Sequence, residues 1–167
     1  MATYDIRIFG DPVLRQPALA VAEVDDALRR LVDDMLETMY EAPGVGLAAP
    51  QVGVQKRLFV YDIGDGPGVV LNPEITERSG EWTYDEGCLS VPGLYWPIVR
   101  AKQVRLTGSD LDGNALDIEA DDLLARMFQH EVDHLDGTLL LARLDGDQRK
   151  EAMRALRDRT LDLPSPH

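Results

Sequence analysis

With Cys88 as its only cysteine, the 167-residue chain can form no internal disulfide, and a reducing compartment that keeps the thiol available is the simplest setting. Nowhere do apolar residues run for the roughly 18 positions needed to span a bilayer. The opening Met1-Ala2-Thr3-Tyr4-Asp5-Ile6-Arg7 lacks the apolar stretch of a signal peptide. A cytoplasmic protein without membrane contact is therefore expected. Positive charge is in deficit: 17 Lys and Arg face 30 Asp and Glu, giving a net charge of −13. That sign opposes broad contact with phosphate backbones, so direct nucleic-acid binding is not expected. No Gly-Lys-Ser or Gly-Lys-Thr is present, which excludes a P-loop. Internal repeats and low-complexity linkers are also absent. An apolar fraction of 44% over this length suits one domain, read as a single catalytic domain over residues 1–167 with a flexible tail at 162–167.

What is there reads as alternating helix and strand signals. Asp25 and Asp26 open an apolar pattern at Leu28, Leu31, Val32, Met35, Leu36 and Met39, a helical spacing that Pro43 ends. The following Gly44-Val45-Gly46-Leu47-Ala48-Ala49-Pro50-Gln51-Val52-Gly53 is almost free of bulky or charged side chains and predicts a tight, buried loop. It fits a dinucleotide fingerprint only formally, because Pro43 stands where a strand should end and Pro50 where a helix should begin. Residues 57–63 and 69–71 are predicted strands, the second closed by Asn72-Pro73. Residues 75–79, 98–100 and 104–110 are further strands, and a hairpin turn over 111–116 leads into a strand at 116–120. Asp121 and Asp122 start a helix whose core face holds Leu123, Leu124, Met127 and Phe128. A last helix spans about 147–161.

Histidine is as scarce as cysteine, which makes its placement informative. Two of the three histidines, His130 and His134, stand four apart in Gln129-His130-Glu131-Val132-Asp133-His134-Leu135-Asp136-Gly137. On a helix, positions i and i+4 share a face, so both imidazoles can reach one cation while Glu131 flanks it. A catalytic site needs a third ligand and an open position for water. Leu140 stands where a metzincin would place histidine, Glu151 lies in a charged helix, and His167 sits in a Pro-rich tail. Cys88, in Asp85-Glu86-Gly87-Cys88-Leu89-Ser90-Val91-Pro92, is the remaining option and completes a Cys/His₂ set. A cation held there makes hydroxide available near neutral pH, and Glu131 can take and return a proton, the chemistry of amide hydrolysis. Donors to the oxyanion would come from the Leu89 N–H and a polar side chain of the small-residue loop, where Gln51 stands. Two rivals stay open: an HExxH-type metallopeptidase, and a non-enzymatic domain with a structural Cys/His₂ metal.

Gly44-Val45-Gly46-Leu47-Ala48-Ala49-Pro50-Gln51, Glu86-Gly87-Cys88-Leu89-Ser90 and the histidine nonapeptide occur together and in the order found in peptide deformylases. Over about residues 5–145 the chain resembles that family. The resemblance implies that Cys88, His130 and His134 bind the metal, that Glu131 is the general acid/base, and that Gln51 with the Leu89 N–H holds the oxyanion. It implies removal of the formyl group from the N-terminal formyl-methionine of nascent polypeptides, with release of formate. The implied fold is α+β, antiparallel or mixed sheets packed around a central HExxH helix, with an N-terminal and a C-terminal helix. The implied metal is one Fe²⁺ per chain, with Zn²⁺ or Ni²⁺ as replacements. By the same resemblance an apolar methionine pocket is lined by Gly44, Val45, Gly46, Glu86, Leu123, Arg126 and Met127; Arg126 is unexpectedly polar for such a wall, so either its stem packs along the pocket with the charge in water, or the pocket is narrower or more open. Arg100 would pair with Asp133 behind the metal. The helix at 147–161, rich in Arg149, Lys150, Arg154, Arg157 and Arg159, could dock on the ribosome as in some relatives, although a solvated helix face also explains its charge.

Overall fold

Asp25 starts the first long helix. Its side chain accepts the Leu28 N–H at 2.8 Å, satisfying one of the free donors of a first turn. In the computed structural model, which describes residues 2–162 and side chains as far as residue 158, α1 runs Asp26–Glu41. Leu28, Leu31, Val32, Met35 and Met39 form its buried stripe, and Pro43 lies just past its end, disfavouring further helix in the residue before it. The strands are β1 (Gly46–Ala48), β2 (Leu58–Tyr61), β3 (Gly68–Ser79), β4 (Trp82–Cys88), β5 (Val91–Arg100), β6 (Gln103–Ser109) and β7 (Ala115–Asp121). The helices α2 (Asp122–Leu135) and α3 (Gly146–Asp162) complete the order. Of the tail expected over 162–167, Asp162 ends α3 and 163–167 lie outside the described residues.

Five strands make one sheet in the order β1-β2-β3-β6-β7, and among the described residues β4 pairs only with β5. Every named pair is antiparallel, so the antiparallel-or-mixed expectation resolves to antiparallel. The small-residue loop is more ordered than its composition suggests: it holds β1 and a 3₁₀ turn over Ala49–Val52, both buried. β2 is buried on both faces, and its alternation sorts the layers. Leu58 and Val60 join Leu28, Met35 and Met39 of α1, while Phe59 joins Phe128 and Leu135 of α2. The two helices therefore cover opposite faces of the five-stranded sheet. A third cluster joins Val91, Trp96 and Ile98 of β5 to Ala152 and Leu156 of α3.

Asn72-Pro73 does not end a strand. β3 continues through it to Ser79, with the register to β6 broken between Leu71 and Glu74. Asn72 adopts φ 51°, a conformation asparagine tolerates better than most residues. Its side chain exchanges two hydrogen bonds with Val21, accepting at 2.8 Å and donating at 3.0 Å. The local stop signal thus becomes a bulge inside a longer strand.

α2 positions the chemistry. It is buried continuously from Ala125 to Leu135, and helical spacing divides it into two faces. Ala125, Phe128, Val132 and Leu135 pack on the sheet; Arg126, His130, Asp133 and His134, at i, i+4, i+7 and i+8, turn towards β4 and β5. A polar stripe this deep requires partners, and the two-stranded sheet supplies them. Among the described residues no helix is long and apolar enough to cross a membrane.

Candidate active site

The candidate ligand atoms of Cys88, His130 and His134 all lie within 4.8 Å of one another. Cys88 Sγ is 3.2 Å from His134 Nε2, which is 3.1 Å from His130 Nε2. His130 Nδ1 lies 2.9 Å from Glu86 Oε2. A carboxylate at that nitrogen holds the proton on Nδ1 and leaves the Nε2 lone pair facing the other two groups. Lone pairs of a sulfur and two imidazoles crowded this closely call for a positive charge between them.

The electrostatics of the trio agree. Burial opposes ionisation of the Cys88 thiol, but His134 and His130 outweigh it and hold its pKa well below the usual thiol range. Burial likewise opposes charge on His130, yet the Cys88 sulfur, Glu86 and Glu131 raise its proton affinity well above the imidazole norm. A thiolate beside groups that attract a cation is the donor set of a borderline-soft divalent metal, so the residues fit one, with no fourth protein ligand among the described residues. Glu151, the downstream carboxylate weighed as a third ligand, is exposed on α3 and outside this group. His167 lies outside the described residues.

Glu131 sits beside the trio without joining it. Its Oε1 is 3.9 Å from His130 Nε2, and its buried Oε2 has no partner among the described residues. Burial raises its pKa, partly offset by His130 and His134, which moves a carboxyl towards the range where it can both accept and return a proton. A Cβ on Gly46 would stand 3.1 Å from Glu131 Oε1 and 3.1 Å from Met127 Cγ, so the bare backbone there makes room for the carboxyl. Gly44 does the same for Leu89, whose Cδ1 would lie 2.7 Å from an added Cβ.

Gln51 is 1% exposed and its amide is fixed at both ends. Oε1 accepts the Ala48 N–H at 2.9 Å; Nε2 donates to Ser90 Oγ at 3.1 Å and faces Cys88 Sγ at 3.6 Å. Ser90 was not singled out by sequence, although its place two residues after Cys88 was visible. The N-terminal segment closes this corner: the Arg7 N–H donates to the Gln51 carbonyl at 2.6 Å, and the Phe9 N–H to the Ser90 carbonyl at 2.8 Å.

Behind the metal trio lies a buried ionic network. Arg100 donates from Nη1 to Asp133 Oδ2 at 2.9 Å and grips Glu86 with Nε at 2.8 Å and Nη2 at 2.7 Å. Arg143, unforeseen from sequence, adds Nε to Asp133 Oδ2 at 2.9 Å and Nη2 to Oδ1 at 2.6 Å. Burial raises the pKa of both carboxyls, but His130 and Arg100 hold Glu86 below the usual range, and Arg143 and Arg100 do so for Asp133. Glu86, expected to line the pocket, faces the cavity beside the trio with both oxygens bonded to protein donors. Arg126 does not keep its charge in water: it is 3% exposed, with Nη1 on Glu86 Oε1 at 2.8 Å.

A cavity of about 760 Å³ opens beside the trio and is lined by Gly44, Val45, Gly46, Leu123, Arg126 and Met127, together with Glu86, Cys88, His130 and Glu131. Val45 and Leu123 stand exposed at its rim.

A family model described as polypeptide deformylase matches residues 3–150. A peptide deformylase of Acidothermus cellulolyticus is 52% identical over 158 residues, covering 95% of this chain and 88% of that one. One from Clostridium botulinum is 52% identical over 143 residues, covering 86% and 97%. Among solved structures, the Legionella pneumophila peptide deformylase superposes with a TM-score of 0.91 at 42% identity, covering 99% of this chain and 100% of that one. The Thermus thermophilus enzyme gives 0.89 at 46% identity, covering 95% and 96%. With the match spanning all but the ends, the chain belongs to the polypeptide deformylase family, hydrolases that remove the formyl group from N-terminal methionine.

Proposed function

We propose that Cys88, His130 and His134 hold one divalent cation, Fe²⁺ in the cell with Zn²⁺ or Ni²⁺ able to replace it, beside which Glu131, Gln51 and Leu89 carry out deformylation. The observation that carries this is the convergence of three ligand atoms within 4.8 Å, with an unpartnered, buried carboxyl alongside. A divalent ion in that position supplies Lewis acidity and lowers the pKa of water. Glu131 takes the proton of the attacking water and passes it to the amine nitrogen as the formyl C–N bond breaks. The Gln51 Nε2 and the Leu89 N–H donate to the oxygen that gains charge as the formyl carbon becomes tetrahedral. Ala48 and Ser90 hold the Gln51 amide in place, and the N–H that faces Cys88 Sγ is the one free to turn to that oxygen. The methionine side chain enters the cavity between the Gly44 to Gly46 backbone and the Leu123 and Met127 side chains, burying apolar surface. All of this takes place in a single catalytic domain.

Protein prepared anaerobically with Fe²⁺ is expected to bind one metal per chain and to release formate from formyl-Met-Ala-Ser, leaving an internal peptide bond intact. No formate, or cleavage of the internal peptide, overturns the assignment. Gly46→Ala is expected to lower kcat roughly tenfold, since Glu131 must shift by a few tenths of an ångström and placement errors near 1 Å cost about 100-fold. Steady-state kinetics on the same peptide check this.

The enzyme belongs in the cytoplasm, where Cys88 stays reduced. It meets its substrate at the ribosome through the exposed side of α3, where Arg149, Lys150, Arg154 and Arg157 flank Met153, which is 41% exposed. Arg149 also donates to the Leu141 carbonyl at 3.2 Å, and Ala152 and Leu156 belong to the core, so removing the helix would damage the fold. Reversing Lys150, Arg154 and Arg157 to glutamate avoids this. That variant is expected to lose salt-sensitive co-sedimentation with ribosomes while its Tm and formate release stay unchanged; retained co-sedimentation refutes the docking.

A further inference from the structure

Glu86 is gripped from two sides. Arg100, at the end of β5, takes both of its oxygens. Arg126, on α2, adds Nη1 to Oε1 at 2.8 Å, and its Nη2 donates to the Trp82 carbonyl. The Arg126 guanidinium is also stacked, with Cζ 5.3 Å from the Trp82 ring centroid and 5.7 Å from that of Tyr84. Both rings belong to β4, the strand that carries Glu86 and Cys88. One turn along α2, His130 Nδ1 lies 2.9 Å from Oε2 of the same carboxylate.

Arg126 thus lines the substrate cavity, but both of its amino groups turn away from a substrate side chain, towards Glu86 and the β4 backbone. A wall residue would contribute contact area and act on KM. A residue that fixes a carboxylate on a ligand histidine acts on the ligand. We infer that Arg126 is a positioning residue for His130, holding Glu86 so that His130 keeps its proton on Nδ1 and offers Nε2 to the cation. The inference rests on His130 being a metal ligand. Arginine suits the task where lysine would not do so fully, since its planar fork can serve Glu86 and the Trp82 carbonyl together while stacking on the rings.

Arg126→Met keeps the stem and the cavity wall while removing the donors. Zn²⁺ affinity is read by competition with a chromophoric chelator, beside kcat and KM for formyl-Met-Ala-Ser. Zn²⁺ binding is expected to weaken about tenfold, the lower end of what losing an outer partner of a ligating histidine costs. The kcat falls with it, and KM stays within about twofold. In a Glu86→Gln background, Arg126→Met should weaken Zn²⁺ binding no further. Arg126→Lys, which keeps one charged donor, should give an affinity between wild type and Met, and carries the test if the Met variant does not fold. Unchanged Zn²⁺ affinity with a raised KM overturns the inference in favour of a wall role, and an equal further loss in the Glu86→Gln background overturns it as well. If His130→Ala leaves Zn²⁺ affinity intact, the ligand assignment itself fails, and the inference with it.

Discussion

Replacing Glu131 with glutamine is expected to lower kcat for formate release by on the order of 10² to 10⁴, the usual contribution of a positioned acid/base, with metal content unchanged. The separation of effects follows from geometry. Glu131 Oε1 stands 3.9 Å from His130 Nε2, beside the trio, so the amide removes proton transfer without removing a ligand. Glutamine fills the space that Gly46 leaves open, and KM should change little. The thermal midpoint should stay at or above the wild-type value, because a buried carboxyl whose Oε2 has no partner carries a desolvation cost that a neutral amide avoids. Steady-state kinetics, metal analysis and a melting curve on one preparation check all three. Undiminished formate release would remove Glu131 from its role, and lost metal would make it a ligand.

The parts of the fold visible in the sequence were those fixed by local chemistry. The α1 stripe and its Asp25 cap, the i, i+4 pair on α2, and the order of the three motifs needed only spacing and residue type. Long-range pairing was hidden. Asn72-Pro73 reads as a stop, yet the β6 register carries β3 past it, and nothing nearby in sequence announces that Asn72 will bond with Val21. β4 lacks a clean apolar alternation because its inward side meets a polar helix face, so the usual strand signal is missing where the site is built. Cys88 follows from the failure of every other third ligand, and only family resemblance points to the Arg100–Asp133 pair. The second grip of Arg100 on Glu86, the role of Arg143 and the burial of Arg126 join β4, β5, α2 and the turn before α3. Spacing along the chain cannot report a contact among four elements.

That network sets the other large expectation. Arg100→Met is expected to destabilise the protein by about 3 kcal/mol, the lower end of the cost of removing one partner from a buried ion pair, and to weaken metal binding in step. Methionine keeps most of the stem volume, so lost charge rather than a cavity is what the experiment reads. The Arg100 side chain is 4% exposed, against 6% for Glu86 and 11% for Asp133; without it two carboxylates stay in a dry interior with fewer donors. Arg126 still holds Glu86 and Arg143 still holds Asp133, which keeps the expected cost at the lower end. The informative control is Arg105→Met. Arg105 reaches Asp117 at 2.7 and 2.6 Å, contacts as short as those of Arg100, but the two side chains are 38% and 52% exposed. Water replaces that partner, so the urea midpoint should not move. A comparable loss in both variants would mean that contact distance, rather than burial, governs these pairs; no loss in Arg100→Met would mean that Arg126 and Arg143 suffice and that Glu86 and His130 are held without the β5 arginine.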